Sequence, residues 1–246
     1  MGSILNAEKV LIVIPARYNS NRIPGKVLED LHGFPMIYWV YKRAMMSNCG
    51  PVVVATDHPR VCKVLENFEI PFFQTSSTCR NGTERIFEIS KHYPHIKYFI
   101  NVQGDEPLLN PKVISDLLSS GLNNVFKTAV SPIYSSDNNP NEVKVALSFN
   151  NQIRFASRNL IPFPSKTSVE LYKIHGVYLY SRDVLRAFCE AAPGPLEIYE
   201  SIEQLRCIEN DIPLFGVKTE HTERSVDTQE DLTYMRRQPI ELFFGV

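Results

Sequence analysis

Residues 10–28 read VLIVIPARYNSNRIPGKVL, an apolar run that empties into a polar loop carrying Arg17, Arg22 and Lys26 with a single glycine, Gly25. The run LIVI at 11–14 is rich in β-branched side chains and shows no polar alternation, so it predicts a strand buried on both faces. The same event recurs twice. VVVA at 52–55 leads into helix-period PRVCKVLENF from Pro59, and YFINV at 98–102 leads into PKVISDLLSSGL from Pro111. After the first strand, PMIYWVYKRAMM from Pro35 carries helical periodicity as well. Strands alternating with helices predict a parallel sheet covered by helices. Pro35, Pro59 and Pro111 each suit a first helical turn, and Asn110 suits the cap of the last of these helices.

From about Val143 the rhythm changes. VKVALSF and YKIHGVYLY, with the proline-bearing NLIPFPSKTS between them, read as antiparallel strands. Helical periodicity returns at 182–191, 199–210 and 229–237. The expected fold class is therefore α/β: a doubly wound, mostly parallel sheet flanked by helices, with a small β-containing excursion near 143–180. No repeat, low-complexity tract or linker interrupts the chain, so 1–246 reads as one domain with a substrate or dimerisation subregion around 143–180.

A hydrophobic content of 43% supports an ample core. With 26 basic and 27 acidic residues the formal charge is −1, so no global field recruits nucleic acid or an anionic membrane, and any anion site must be local. Five cysteines with no CxxC pair fit neither a disulfide scaffold nor a zinc site and point to a reducing, cytoplasmic setting. No run approaches the roughly 18 apolar residues of a membrane-spanning helix. MGSILNAEK lacks the apolar core of a signal peptide, and Met1 to Ser3 read as partly a cloning remnant.

Ligands of open parallel sheets collect beyond the carboxyl ends of the strands, which directs attention to the segments after LIVI, VVVA and YFINV. PARYNSNRIPGK is no Walker loop, because the required glycine falls on Ser20 and the required Ser or Thr on Val27. A GxGxxG fingerprint is missing too, which removes a dehydrogenase reading. What remains is a loop whose Arg17, Arg22 and Lys26 could converge on a triphosphate through charge-assisted hydrogen bonds, with solvated surface arginines as the alternative.

QGDEPLL places Asp105 and Glu106 at a strand end, where a carboxylate can hold magnesium, although Asp-x-Pro turns are common. Asp57, in TDHPR, reads as ending the strand and capping the following helix, with direct ligand contact as the alternative. NGTER at 81–85 opens a helix able to bind an anion or read a base edge, or simply supplies ordinary first-turn residues. Glu200, Glu203 and Gln204 fall at i, i+3 and i+4 on one helical face, a solvated face being the alternative. In SVDTQEDL, Thr228 reads as an N-cap with Asp231 three residues on, leaving Asp227 for a metal. His175, between apolar neighbours, reads as a hydrogen-bonded wall residue rather than a catalyst.

Together IPARYNSNRIPGK, VATD, NGTER, NVQGDEP, EVKVAL, FASRNLIPF, YKIHGVY, EQLR and SVDTQEDL resemble the 3-deoxy-manno-octulosonate cytidylyltransferases, the CMP-KDO synthetases, in order and across nearly the whole chain. The runner-up, the sialic-acid-type synthetases, carries paired glycines and a Lys-Gly step where this chain has Tyr18 and Arg22. The resemblance implies a nucleotide-sugar-transferase-like fold. It also implies attack of the anomeric hydroxyl of a 3-deoxy-2-keto sugar acid on the α-phosphorus of CTP. By the same resemblance Arg17, Lys26, Asp105 and Asp227 are catalytic, with Mg2+ on Asp105 and Asp227. Arg17, Arg22, Lys26, Asn81, Gly82, Thr83 and Arg85 would bind CTP. Gln103, Arg158, His175, Tyr178, Glu203 and Gln204 would bind the sugar. A cytoplasmic homodimer serving lipopolysaccharide biosynthesis is implied as well.

Three departures stand out. Asn81 and Glu84 replace the family's Ser and Asp, Asn159-Leu160 replaces Ala-Pro beside Arg158, and the histidine after Lys173 has moved past Ile174 to position 175. One residue along a strand is the opposite face, so a close analogue of the usual sugar is a plausible substrate. A catalytically silent nucleotide-binding homologue is the alternative outside enzymes, and the retention of Arg17, Lys26, Asp105 and Asp227 speaks against it.

Overall fold

The computed structural model describes residues 9–18, 22–122, 124–133, 139–165, 170–221 and 224–245. Met1 to Ser3, read above as a cloning remnant, lie outside them. β1 (Val10–Pro15) leads through a 3-10 turn at Lys26–Leu28 to a small hairpin, β2 (Asp30–Leu31) and β3 (Phe34–Pro35). Then come α1 (Met36–Met45), β4 (Val52–Thr56), α2 (Pro59–Asn67), β5 (Phe72–Gln74), α3 (Gly82–Ser90), β6 (Tyr98–Val102) and α4 (Pro111–Ser119). β7 (Phe126–Ile133), β8 (Lys144–Leu147), β9 (Ile153–Ser157) and β10 (Leu171–Ser181) precede α5 (Arg182–Glu190), α6 (Pro195–Glu200) and α7 (Leu205–Glu209). β11 (Leu214–Lys218), α8 (Gln229–Arg236) and α9 (Ile240–Phe244) complete the order. The chain forms two compact units, Met1–Ser115 with Glu223–Val246, and Asp116–Thr222.

In the first unit β1 lies between β6 and β4, β5 extends the far side of β4, and each of these three pairings is parallel. Ile12, Val13 and Ile14 are completely buried, as a strand covered on both faces requires. Helix α3 packs on β1 and β6, and α1 on β1 and β4. Because Val13 pairs with both Val53 and Asn101, the residues beyond β1, β4 and β6 leave the sheet along one carboxyl edge. In the second unit β7 runs parallel to β11 and antiparallel to β10, and β8 pairs antiparallel with both β10 and β9. The α/β expectation is met, and the excursion near 143–180 is the antiparallel part.

The carboxyl-terminal return is anchored by Trp39. Its ring is fully buried among Leu31, Met36, Val226, Leu232, Met235 and Phe243, and its Nε1 donates to the Leu31 carbonyl at 2.8 Å. Burying a side chain such as Phe243 contributes roughly 1.5–3 kcal/mol. The tail therefore packs on its own chain through Phe243, while Phe244 stays exposed with its ring edge on Trp39. This anchoring sets the stretch carrying Asp227 beside the loop after β6, where Val226 N donates to the Asp105 carbonyl at 2.9 Å.

Three local expectations are corrected. Pro35 closes the β2–β3 hairpin and stands just ahead of α1 instead of inside its first turn, because Asp30 pairs with it. The cap of α2 is His58, whose side chain accepts from Arg60 N, since Asp57 is drawn away by Arg85. The helix expected at 199–210 is broken at Ser201, which takes a left-handed conformation at φ 53°. There Arg158 Nε and Nη2 donate to the Glu200 and Ser201 carbonyls, and the Glu200 carboxylate accepts from Ser157 Oγ and Arg158 N. These tertiary bonds override helical propensity, so Glu200 does not share a helical face with Glu203 and Gln204.

Candidate active site

The loop after β1 folds back on itself. Gly25, at φ 72°, donates its N–H to the Tyr18 carbonyl at 2.8 Å and so delivers Lys26 to the carboxyl edge of the sheet. Lys26 Nζ donates to Asp105 Oδ2 and to the Val226 carbonyl, both at 2.6 Å, and lies 3.9 Å from Asp227 Oδ1. Arg22 Nη2 pairs with Asp227 Oδ1 at 2.7 Å. Four residues singled out in the sequence thus meet in one cluster. Arg17, also singled out, is exposed and makes no ion pair among the described residues.

The close approach of the loops depends on glycine. A Cβ on Gly104 would stand 2.9 Å from the Pro15 carbonyl oxygen, and one on Gly82 would stand 3.1 Å from the Pro15 ring. Glycine at 104 lets the turn holding Gln103 and Asp105 press against the end of β1, and glycine at 82 does the same for the start of α3.

The carboxylates are under electrostatic stress. Burial pushes the Asp227 carboxyl up, and neighbouring Asp105 pushes it further, while Lys26 and Arg22 pull it down. Asp105 Oδ1 is buried and accepts no hydrogen bond among the described residues. Such a pair can serve a hard cation with oxygen ligands, which magnesium takes a few at a time alongside substrate oxygens. Among the described residues no group of three or more His, Cys, Asp or Glu could hold a metal by protein ligands alone.

NGTER does open a helix. Asn81 caps α3 by accepting from Glu84 N at 2.9 Å, and Thr83 is fully buried. Glu84 turns back onto Arg80, accepting from its backbone N–H at 2.7 Å. Arg85 is buried, with Nη2 on Asp57 and Nη1 on Thr75 Oγ1, each at 2.7 Å. Sequence reading named both Asp57 and Arg85 but not their pairing, because nothing local links positions so far apart.

The residues expected around the sugar lie in the second unit, apart from Gln103. Arg158 donates to three backbone carbonyls, those of Glu200, Ser201 and Pro140, and forms no ion pair among the described residues. Gln204 is buried, its Nε2 3.4 Å from Glu203 Oε1. Tyr178 is buried with its ring edge toward Phe126. His175 is 7% exposed and its Nε2 lies 2.8 Å from Ser131 Oγ. Burial above all, then Lys173 and His221, lowers its pKa to about 4, so the ring is neutral near pH 7.

The pairing of β10 with β7 slips between Ile174 and Tyr178, so a strict one-residue, one-face alternation does not apply to Ile174 and His175. The capping box at Thr228 is present as read, with Asp231 Oδ2 accepting from Thr228 N at 2.8 Å. Sequence reading missed His58 and Arg60, whose rings and charge hold Tyr18; the HPR that opens α2 was the only trace of them.

Residues 11–240 match the family model described as Cytidylyltransferase. A 3-deoxy-manno-octulosonate cytidylyltransferase of Fusobacterium nucleatum is 38% identical over 230 residues, covering 91% of this chain and 94% of the relative. The enzyme of that name from Neisseria meningitidis serogroup C is 40% identical over 248 residues, covering 92% and 96%. Among solved structures, a CMP:2-keto-3-deoxy-manno-octonic acid synthetase complexed with CTP superposes with a TM-score of 0.87 at 35% identity, covering 93% of this chain and 97% of the other.

Proposed function

We propose, for a chain that belongs to the 3-deoxy-manno-octulosonate cytidylyltransferase family, the joining of CTP to 3-deoxy-manno-octulosonate to give the CMP-sugar and pyrophosphate. The observation that carries it is the convergence of Arg22, Lys26, Asp105 and Asp227 at the carboxyl edge of the parallel strands. The sugar's anomeric hydroxyl gives up its proton to solvent, its oxygen forms a bond to the α-phosphorus as the bond to the bridging oxygen breaks, and pyrophosphate leaves with the electron pair. Such a transfer asks the protein mainly for positioning and charge stabilisation. Lys26 and Arg22 bring positive charge to the triphosphate, Arg17 adds to it from the start of the loop, and the amino-terminal turn of α3, from Gly82 through Arg85, frames the nucleotide.

Asp105 and Asp227 would hold magnesium. The uncommitted Asp105 Oδ1 and the raised pKa of Asp227 suit a divalent cation at that point. When bound, magnesium supplies charge against the phosphate oxygens and makes a sugar hydroxyl more acidic. Arg158, whose guanidinium donates to backbone carbonyls and forms no ion pair among the described residues, is the proposed partner of the sugar carboxylate, with Gln103, Tyr178, Glu203 and Gln204 toward the hydroxyls. The shift from Ile174 to His175 makes a close analogue such as an amino-substituted sugar worth including.

Five free cysteines support a cytoplasmic setting, and no described helix is long and apolar enough to cross a membrane. Exposed Phe163, Ile198 and Tyr199 in the second unit support a homodimer, and the product would feed lipopolysaccharide biosynthesis. The test is pyrophosphate release from CTP with a panel of 3-deoxy-2-keto sugar acids. Release with the eight-carbon acid or its amino analogue is expected. No release with any acid would favour a silent homologue, and release with a nine-carbon acid alone would move the chain to the sialic-acid type.

A further inference from the structure

We infer that Tyr18, clamped by His58 and Arg60, is the positioning residue that sets the cationic loop for CTP, an inference that rests on the function proposed above. Tyr18 is the hub of that loop. Its carbonyl accepts from Gly25 N, the residue directly before Lys26, and its own backbone directly follows Arg17. The ring is also the wall against which Gly25 closes, since a Cβ on Gly25 would stand 3.1 Å from Tyr18 Cε2. One side chain therefore stands next to both ends of the cationic turn.

The ring is held from outside the loop. His58 stacks on it with centroids 4.0 Å apart and planes 11° from parallel. Arg60 Nη1 donates to the Tyr18 hydroxyl at 2.7 Å, and its guanidinium lies 5.5 Å from the ring centroid. His58 and Arg60 are themselves joined, because His58 Nδ1 accepts from Arg60 N at 3.3 Å as the cap of α2. The clamp is a closed circuit of three residues. It ties the loop after β1 to the helix after β4, a rigid support of the kind a precisely placed phosphate ligand needs. Arg22 and Lys26 are paired with Asp227 and Asp105, which fixes the far end of the loop, so Tyr18 is what fixes the near end.

Two variants separate stacking from other roles. Tyr18→Ala removes the ring. His58→Asn removes the stack while keeping a good helix cap. In each, kcat/KM for CTP should fall about tenfold or more, as expected when phosphate ligands are misplaced by a fraction of an ångström to an ångström. The KM for the sugar acid should stay within about twofold, a split that general loss of structure would not produce. Tyr18→Phe keeps the ring and should restore most of the loss, leaving a deficit similar to that of Arg60→Ala.

Hydrogen exchange at the Gly25 amide gives a readout independent of turnover and should quicken about tenfold in Tyr18→Ala and His58→Asn. Unchanged CTP kinetics together with unchanged Gly25 exchange in His58→Asn would overturn the inference, even if Tyr18→Ala failed to fold. Equal losses for CTP and for the sugar acid would overturn it as well. If the unsubstituted protein released no pyrophosphate, the functional reading would fail by itself. Gly25 exchange would then still decide whether Tyr18 sets the loop.

Discussion

Two cation clusters, one in each unit, are held in opposite ways. In the first, Lys26 and Arg22 are matched with Asp105 and Asp227, so positive and negative groups lie within direct contact. In the second, Lys144 is buried against the carbonyls of Asn139, Glu142 and Arg158, and the half-buried Arg158 donates to those of Pro140, Glu200 and Ser201. Glu142 pairs instead with Lys173 at 2.5 Å. Burial lowers the pKa of Lys144, with Glu142 pulling it back up. Carbonyl oxygens solvate a cation without cancelling its charge. The first arrangement suits a substrate bringing both phosphates and a divalent cation, and the second suits a substrate bringing one carboxylate.

Removing the carboxylates should break this contrast most severely. Asp105→Ala and Asp227→Ala are each expected to lower turnover by about a thousandfold or more at ordinary magnesium, on the scale of losing a main electrostatic group. Circular dichroism should show the fold intact, because Trp39 and Phe243 anchor the return of the chain independently. Near-normal pyrophosphate release in either variant would remove that residue from the proposed metal site.

Arg158→Lys sharpens the other side. Lysine keeps the charge but loses the planar fork that reaches three carbonyls, so the KM for the sugar acid should rise about tenfold while that for CTP holds. Steady-state kinetics with each substrate varied in turn would check it. A rise confined to CTP would place Arg158 with the nucleotide.

The smallest effect is on stability. His175 has its pKa lowered from 6.5 to about 4, so the unfolded chain takes up the proton first as pH falls. Stability is intact above about pH 6.5 and declines toward pH 4, by roughly 3 kcal/mol at most. Urea denaturation of the parent and of His175→Asn at pH 7 and pH 4.5 would measure it. The gap between the two proteins should shrink at the lower pH, and a constant gap would contradict a buried neutral ring.

Much of this was legible along the chain. LIVI, VVVA and YFINV read as strands because full burial removes polar alternation, and the cap at Thr228 follows from a side chain that reaches only three residues ahead. Asp57 was misread for the same reason: a local cap was the best local use for it, and the buried Arg85 that claims it lies on another element. The break at Ser201 was invisible because 199–210 is helical by period, and only Arg158, from a distant strand end, takes the carbonyls that a continuous helix would have used. The β10 irregularity likewise depends on β7, which no pattern within YKIHGVYLY records.

What the chain alone determined was the kind of element at each stretch and the kind of chemistry at each strand end, since periodicity, capping and side-chain type act over a few residues. Which groups face one another was decided in three dimensions. Asp105 and Asp227 sit in distant parts of the chain and share Lys26 only because the Trp39 core pulls Val226 back onto the first unit. Tyr18 commands its loop only because His58 and Arg60 arrive from the neighbouring strand. Hydrophobic burial is non-directional and acts between segments wherever they meet, so it chooses partners that no short-range pattern can name.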